Sequence, residues 1–168
     1  KSLTLLSPDA QHYFVTQTGL LGDTLPTHKA AYATESTSYA LADGQDKLEV
    51  RLVAKDLTGA EVVKTLAFQR GSYRIQVSYE VKNTGDKALS PFAYFQFLRD
   101  GNPPSQEAAQ TSAMAGVATF TGPAVYTDQA KFEKVEFKDI DKGKQAHQKK
   151  SKDGWIAIVQ HYFVSAWL

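Results

Sequence analysis

An all-β sandwich of antiparallel sheets is the fold class this sequence predicts, and three observations carry it. Ser72 to Lys82 alternates without an error: Tyr73, Ile75, Val77, Tyr79 and Val81 fall on one face, Arg74, Gln76, Ser78, Glu80 and Lys82 on the other. That is the two-residue period of a strand with one wet face. Turn chemistry from Gly, Pro, Asn and Asp recurs at roughly ten-residue spacing, as in sandwiches. Between those turns no stretch sustains the 3.6-residue period of an amphipathic helix.

Composition narrows the function. The 168 residues are 42% hydrophobic and 22% charged, ordinary globular values that support one domain with one sizeable core. A formal net charge of +1 leaves no global field to recruit nucleic acid or anionic membrane, so an electrostatic partner must use a local patch. The sequence holds no cysteine, which removes disulfides, thiol catalysis and cysteine-based zinc sites together. No apolar run reaches the roughly 18 residues of a membrane span. Lys1 leads at once into the apolar run Leu3–Leu6, and the sequence closes on the hydrophobic residues Phe163 to Leu168. Residues 1–168 are therefore expected to be a single-domain fragment cut from a longer chain.

Taken in order, Leu3–Leu6 and His12–Thr16 are expected to be short strands joined by a Ser7-Pro8-Asp9 turn. Gly19 to Ser38 shows neither period and is expected to be a long surface loop. Tyr39–Ala42 restarts extended structure, Asp43-Gly44 turns the chain, and Leu48, Val50, Leu52 and Ala54 alternate in a further strand. The chain returns through Asp56 to Gly59. Glu61–Gln69, Ser72–Lys82 and Ala88–Arg99 then predict a three-strand meander, with the middle strand paired on both sides. Asp100 to Pro104 ends the pairing, because neither proline can donate to a ladder.

The rest of the chain is less regular. Gln110–Phe120 is expected to be a strand, and Lys131–Ile140, with Phe132, Val135, Phe137 and Ile140 among charges, an edge strand. Asp141–Asp153 is a lysine-rich loop. Trp155–Leu168 is nearly all apolar and predicts a strand buried on both faces.

The search for chemistry gives no catalytic, cofactor or metal residue. His12, His28, His147 and His161 are far apart and form neither HxH nor HExxH. His161, inside the apolar last segment, reads as a hydrogen-bonded sheet histidine. Asp139 and Asp141 sit among Lys138, Lys142 and Lys144 and read as a solvated edge. A phosphate loop, a GxSxG elbow and a Walker lysine are all missing. What remains is a basic run of Lys142, Lys144, Lys149, Lys150 and Lys152 beside the expected edge strand.

Three runs carry a family resemblance: LLSPDAQHYFVTQTGL at 5–20, KTLAFQRGSYRIQVSYEVKNTGDKAL at 64–89 and SKDGWIAIVQHYFVSAWL at 151–168. In these the chain resembles the large periplasmic domain of the YidC membrane protein insertases of Gram-negative bacteria. The resemblance implies a β-super-sandwich, related in architecture to galactose mutarotases and carbohydrate-binding domains, in the periplasmic part of an inner membrane protein. It implies a non-catalytic role in membrane protein insertion and folding. The implied partners are the Sec translocon, its accessory subunits SecD and SecF, and substrate membrane proteins, with no cofactor and no nucleic acid. A carbohydrate-binding or mutarotase-like protein is the alternative, by architecture alone. The partner-binding residues expected on the edge and basic loop are Lys131, Phe132, Lys134, Lys138, Lys142, Lys144, Lys149 and Lys150.

Overall fold

The computed structural model of the chain describes residues 5–10, 12–22, 24–55, 57–101, 120–144, 147, 150–160 and 162–168. Its strands are β1 (Ser7–Asp9), β2 (His12–Leu21), β3 (Tyr32–Ala33), β4 (Lys47–Ala54), β5 (Ala60–Gln69), β6 (Ile75–Asn83), β7 (Phe92–Arg99), β8 (Gly122–Thr127), β9 (Lys131–Lys134), β10 (Gly154–Val159) and β11 (Val164–Trp167). Among the described residues one short helix, α1, spans Phe137–Asp141. The strands form three antiparallel sheets, ordered β1-β2-β7, β3-β4-β5-β6 and β11-β10-β8-β9. The all-β prediction holds. Residue contacts divide the chain into two compact units, Thr18–Tyr94 and Lys1–Gln17 with Phe95–Leu168.

In the Thr18–Tyr94 unit, period-two patterning places β4 and β6, and β5 lies between them where the Val- and Phe-containing run Glu61–Gln69 predicts a strand. Leu48, Val50, Leu52 and Ala54 turn inward from β4 while Lys47, Glu49, Arg51 and Val53 are exposed. The register sets Val50 opposite Leu66 and Leu66 opposite Val77, so one face continues across three strands. The core of the unit is Leu20, Leu25, Ala60 and Val62, against which Ala54, Leu57, Tyr79, Val81 and Leu89 pack. Val62 is fully buried, a contribution of about 1.5 to 3 kcal/mol.

Several expectations fail here. Tyr73 precedes β6 and is fully exposed, so the core face begins later, with Val77. β6 is not a middle strand: it ends its sheet, and β7 lies beside β2 instead. Residues 84–91 explain this, since hairpin loops run about 2 to 5 residues and Pro91 cannot donate to a ladder. Asn83 opens that connection, accepting from the Gly85 N–H at 3.0 Å and donating from Nδ2 to Lys87 O at 2.8 Å. The long loop expected over Gly19–Ser38 is also wrong. β2 continues to Leu21, Leu25 and Pro26 are buried, the Leu20 N–H donates to Pro26 O at 3.0 Å, and β3 pairs with Ala54 and Val53. Tyr39–Ala42 forms no strand.

A polar cluster interrupts this apolar face. Tyr79 Oη lies 3.2 Å from Thr18 Oγ1, and Lys64 Nζ reaches Thr18 O at 3.4 Å and stands 5.7 Å from the Tyr79 ring centre. Burial, with Tyr79 and Tyr94 nearby, raises the Tyr32 phenol above its ordinary value. Burial pushes the Lys64 ammonium below its usual range. The unfolded chain therefore holds that proton to higher pH than the folded one. The cost of the charge is present in full at neutral pH, and stability from this group rises as pH climbs through the lysine range. Lys64→Met should stabilise the unit by up to about 1 kcal/mol at neutral pH, its half-exposed charge being screened. Urea melts from pH 7 to 10.5 should show that alkaline rise lost in the variant.

In the second unit, β8 pairs with β10 from Gly154↔Thr127 to Val159↔Gly122, and β9 pairs with β8 from Thr127↔Lys131 to Ala124↔Lys134. The single strand expected over Trp155–Leu168 is two strands. Gln160 and Phe163 exchange backbone hydrogen bonds, turning β10 into β11. Ser7-Pro8-Asp9 is no turn either: it is strand β1, paired with His12 to Phe14, where an outer strand tolerates the missing proline N–H. Leu5 and Leu6 precede it, exposed, and residues 3 and 4 lie outside the described residues. Of the strand expected over Gln110–Phe120 only Phe120 is described, outside any strand.

Candidate functional site

β9 is the outer strand of the β11-β10-β8-β9 sheet, as its sequence predicted, but it is shorter. Only Lys131 to Lys134 are extended, and Phe137–Asp141 forms α1. Backbone bonds from Asp139 and Ile140 N–H to Glu136 O start the helix.

Alternation in β9 sends Phe132 and Lys134 to one face and Lys131 and Glu133 to the other. Phe132, 48% exposed, stands 6.0 Å from the Trp155 ring, and Trp155 stacks on Tyr126 at 5.6 Å and 9°. The register explains this trio, since Trp155, Tyr126 and Phe132 are opposite one another on three successive strands. Two of the expected cations lie over rings: Lys131 Nζ is 6.0 Å from the Tyr126 centre and Lys134 Nζ 4.9 Å from the Phe120 centre. Lys131 adopts a left-handed backbone, φ 61°.

The remaining lysines do not form one patch. Lys138 lies in α1, Lys142 caps its C-terminus, and the Lys144 N–H donates to Asp139 O at 2.8 Å; all three are exposed. Lys150 instead lines a polar cleft of about 340 Å³ with Asp128, Gln129, Ser151, Lys152 and Asp153, beside the turn that leads into Lys131. Two carboxylates there offset the basic charge. Lys149 lies outside the described residues, as does His161.

A feature the spacing of residues did not reveal lies on the opposite face of the sheet. Phe95 and Phe97 of β7, Pro123 and Val125 of β8, Ile156 and Ile158 of β10, and Val135 and Ile140 line an apolar groove of about 320 Å³, with Lys144 and His147 among its polar members. Trp167 closes against it, 4.9 Å from the Phe95 ring and 6.2 Å from Phe97. Only the Phe95–Phe97 alternation could have hinted at it; the other walls come from segments distant in sequence. Among the described residues, no three His, Asp or Glu side chains gather as a metal site, and no helix is long and apolar enough to cross a membrane.

An outer strand with cations over rings, together with an apolar groove, has the features of a binding surface. The family model described as the YidC periplasmic domain matches residues 1–168, and the chain belongs to that family. Among curated relatives, the membrane protein insertase YidC of Aromatoleum aromaticum is 47% identical over 168 residues, all of this chain and 30% of the relative. That of Nitrosospira multiformis is 45% identical over all of this chain and 28% of its own length. The Nitrosomonas europaea protein is 44% identical over 166 residues, 98% of this chain and 26% of its own. The chain thus spans less than a third of the insertases it matches.

Proposed function

We propose that the chain is the periplasmic part of an inner-membrane insertase and supports membrane protein insertion and folding there without catalysis, by docking partners. The partners in this reading are the Sec accessory subunits SecD and SecF and substrate membrane proteins. The observation that carries it is the outer strand β9 with Lys131 and Lys134 at its two ends, followed by Lys138 in α1 and Lys142 at its C-cap. An outer strand offers unpaired backbone groups to an added strand, and lysines around it steer an acidic partner. β6 also ends a sheet, so what singles out β9 is its charge and not its free edge alone.

Changing Lys134, Lys138, Lys142 and Lys150 to Glu in the full-length insertase should lower co-purification with the Sec accessory subunits several-fold at low salt. All four side chains are exposed, so the fold should be retained, with a loss of about 1 to 2 kcal/mol from the Lys134 contact with the Phe120 ring and the cations at the end of α1. Undiminished recovery at low salt would sink the electrostatic part of the proposal.

The carbohydrate alternative draws on the polar cleft, whose Asp128, Gln129 and Asp153 could bond sugar hydroxyls. Saturable signals on a glycan array, abolished by Asp153→Ala, would favour it over the docking reading.

A further inference from the structure

We propose that β6 pairs with β6 of a second copy of this chain, antiparallel about a two-fold axis at Val77, and so joins two four-stranded sheets into one. Among the described residues β6 ends its sheet, with β5 on one side only, and it is nine residues long. Every second residue along it therefore turns its N–H and C=O away from β5, toward the open edge. The residues that usually blunt such an edge are scarce: Ile75–Asn83 holds no proline, and its one lysine, Lys82, stands next to its end. Tyr73 is fully exposed and Ile75 half exposed, although alternation places both on the face of Tyr79 and Val81.

The order of residues along the strand chooses the partner. With the axis at Val77, Tyr73 meets Val81, Ile75 meets Tyr79 and Val77 meets itself on one face, while Arg74 meets Glu80 and Gln76 meets Ser78 on the other. Aromatic rings against β-branched side chains, and opposite charges, are the pairs that stabilise antiparallel sheets. The two side chains left in solvent thus gain neighbours. Arg74, exposed and without an ion pair among the described residues, gains a carboxylate. Glu80 can take it, since its pair with Arg51 spans 3.6 Å in solvent. Other registers match less well: an axis at Ser78 sets Arg74 against Lys82, and one at Val81 opposes Glu80 and Lys82 but pairs only residues 79–83. β7, the other long outer strand, carries Arg99 and no acid among its eight residues, so its two-fold pairing has no opposite charge to match. From Tyr73 to Val81 the pattern reads the same from either end with its charge inverted, which a second copy requires and an unrelated strand does not.

Sedimentation equilibrium of the whole chain from about 5 to 500 µM should show monomer passing to dimer with a Kd of about 10 to 100 µM, as suits a small interface. Amide exchange compared at the two ends of that range should slow at alternate residues of β6 and stay unchanged in β5. Arg74→Glu and Glu80→Arg should each raise Kd about tenfold. An equimolar mixture of these two variants restores both ion pairs between unlike copies, so it should associate within about threefold of the unchanged chain although neither variant does so alone. Lys82→Glu, opposite Ser72 in this register, should leave Kd within about twofold. The proposal is overturned if the chain stays monomeric throughout the range, or if the mixture associates no better than its components. Protection spread evenly along β6, or a loss from Lys82→Glu equal to that from Arg74→Glu, would also overturn it.

Discussion

Tyr79→Ala is expected to destabilise the Thr18–Tyr94 unit by about 3 to 5 kcal/mol, the range for truncating a large core aromatic, while its neighbour Glu80→Ala changes stability by less than about 0.5 kcal/mol. The two residues are adjacent in β6 but face opposite ways. Tyr79 packs on the cluster of Leu20, Leu25, Ala60 and Val62 and bonds Thr18 Oγ1 through its hydroxyl. Its loss opens a cavity and leaves Thr18 and Lys64 without their ring and phenol. Glu80 meets Arg51 at 3.6 Å with both side chains about half exposed or more, a pairing that salt and solvent nearly cancel. Tyr79→Phe should fall between them, at about 1 kcal/mol for the one hydrogen bond. Urea melts measure all three. Equal effects from the Ala variants at 79 and 80 would mean the two faces of β6 are assigned wrongly.

β4 and β6 were legible because a half-buried antiparallel strand writes its exposure into every second residue. The same signal is silent on which strand comes next in the sheet. Ser72–Lys82 gives the strand, yet only residues 84–91, too long and too proline-bound for a hairpin, show that β7 must go elsewhere. Strand β1 was hidden for a related reason: Pro8 is a turn residue by propensity and an outer-strand residue by context. In Lys131–Asp141 the extended part lasts four residues and the helical part five, both shorter than the window over which either period can be counted.

The candidate site was half legible. Lysine is visible as charge, so the basic character of 131–152 could be read directly, but not that Lys144 and Lys150 point to different clefts, because loop paths carry no period. The groove was invisible, since its walls at 95, 125, 140 and 156 meet only after four separate elements have packed. Gly154 is a point where the local rule does work: at φ 154° it opens β10 against Tyr126 O, a place for a residue without a side chain.

Gly19→Ala is expected to be the other severe change, at about 3 kcal/mol or more, from forced overpacking together with a broken hydrogen-bond pair. Gly19 lies in β2, and a methyl group there would sit 2.7 Å from Tyr94 Oη, 2.8 Å from His28 N and 2.9 Å from Thr27 C. Two of these three are backbone atoms and cannot swing aside. The phenol cannot yield freely either, because Tyr94 Oη accepts from the His28 N–H at 2.8 Å and lies 2.6 Å from His28 Nδ1. Moving it breaks the clamp that fixes the segment leading to β3. Gly44→Ala is the control for backbone effects alone: nothing lies within 4 Å of its added methyl, but its φ is 78°, so it should cost only about 1 kcal/mol. Tyr94→Phe combined with Gly19→Ala removes one obstacle of three and should restore less than half of the loss. Thermal and urea melts of the four proteins decide it. If Gly19→Ala is no worse than Gly44→Ala, residues 27 and 28 do not rest against β2, and the burial of Leu25 and Pro26 beside Leu20 would have to be abandoned with them.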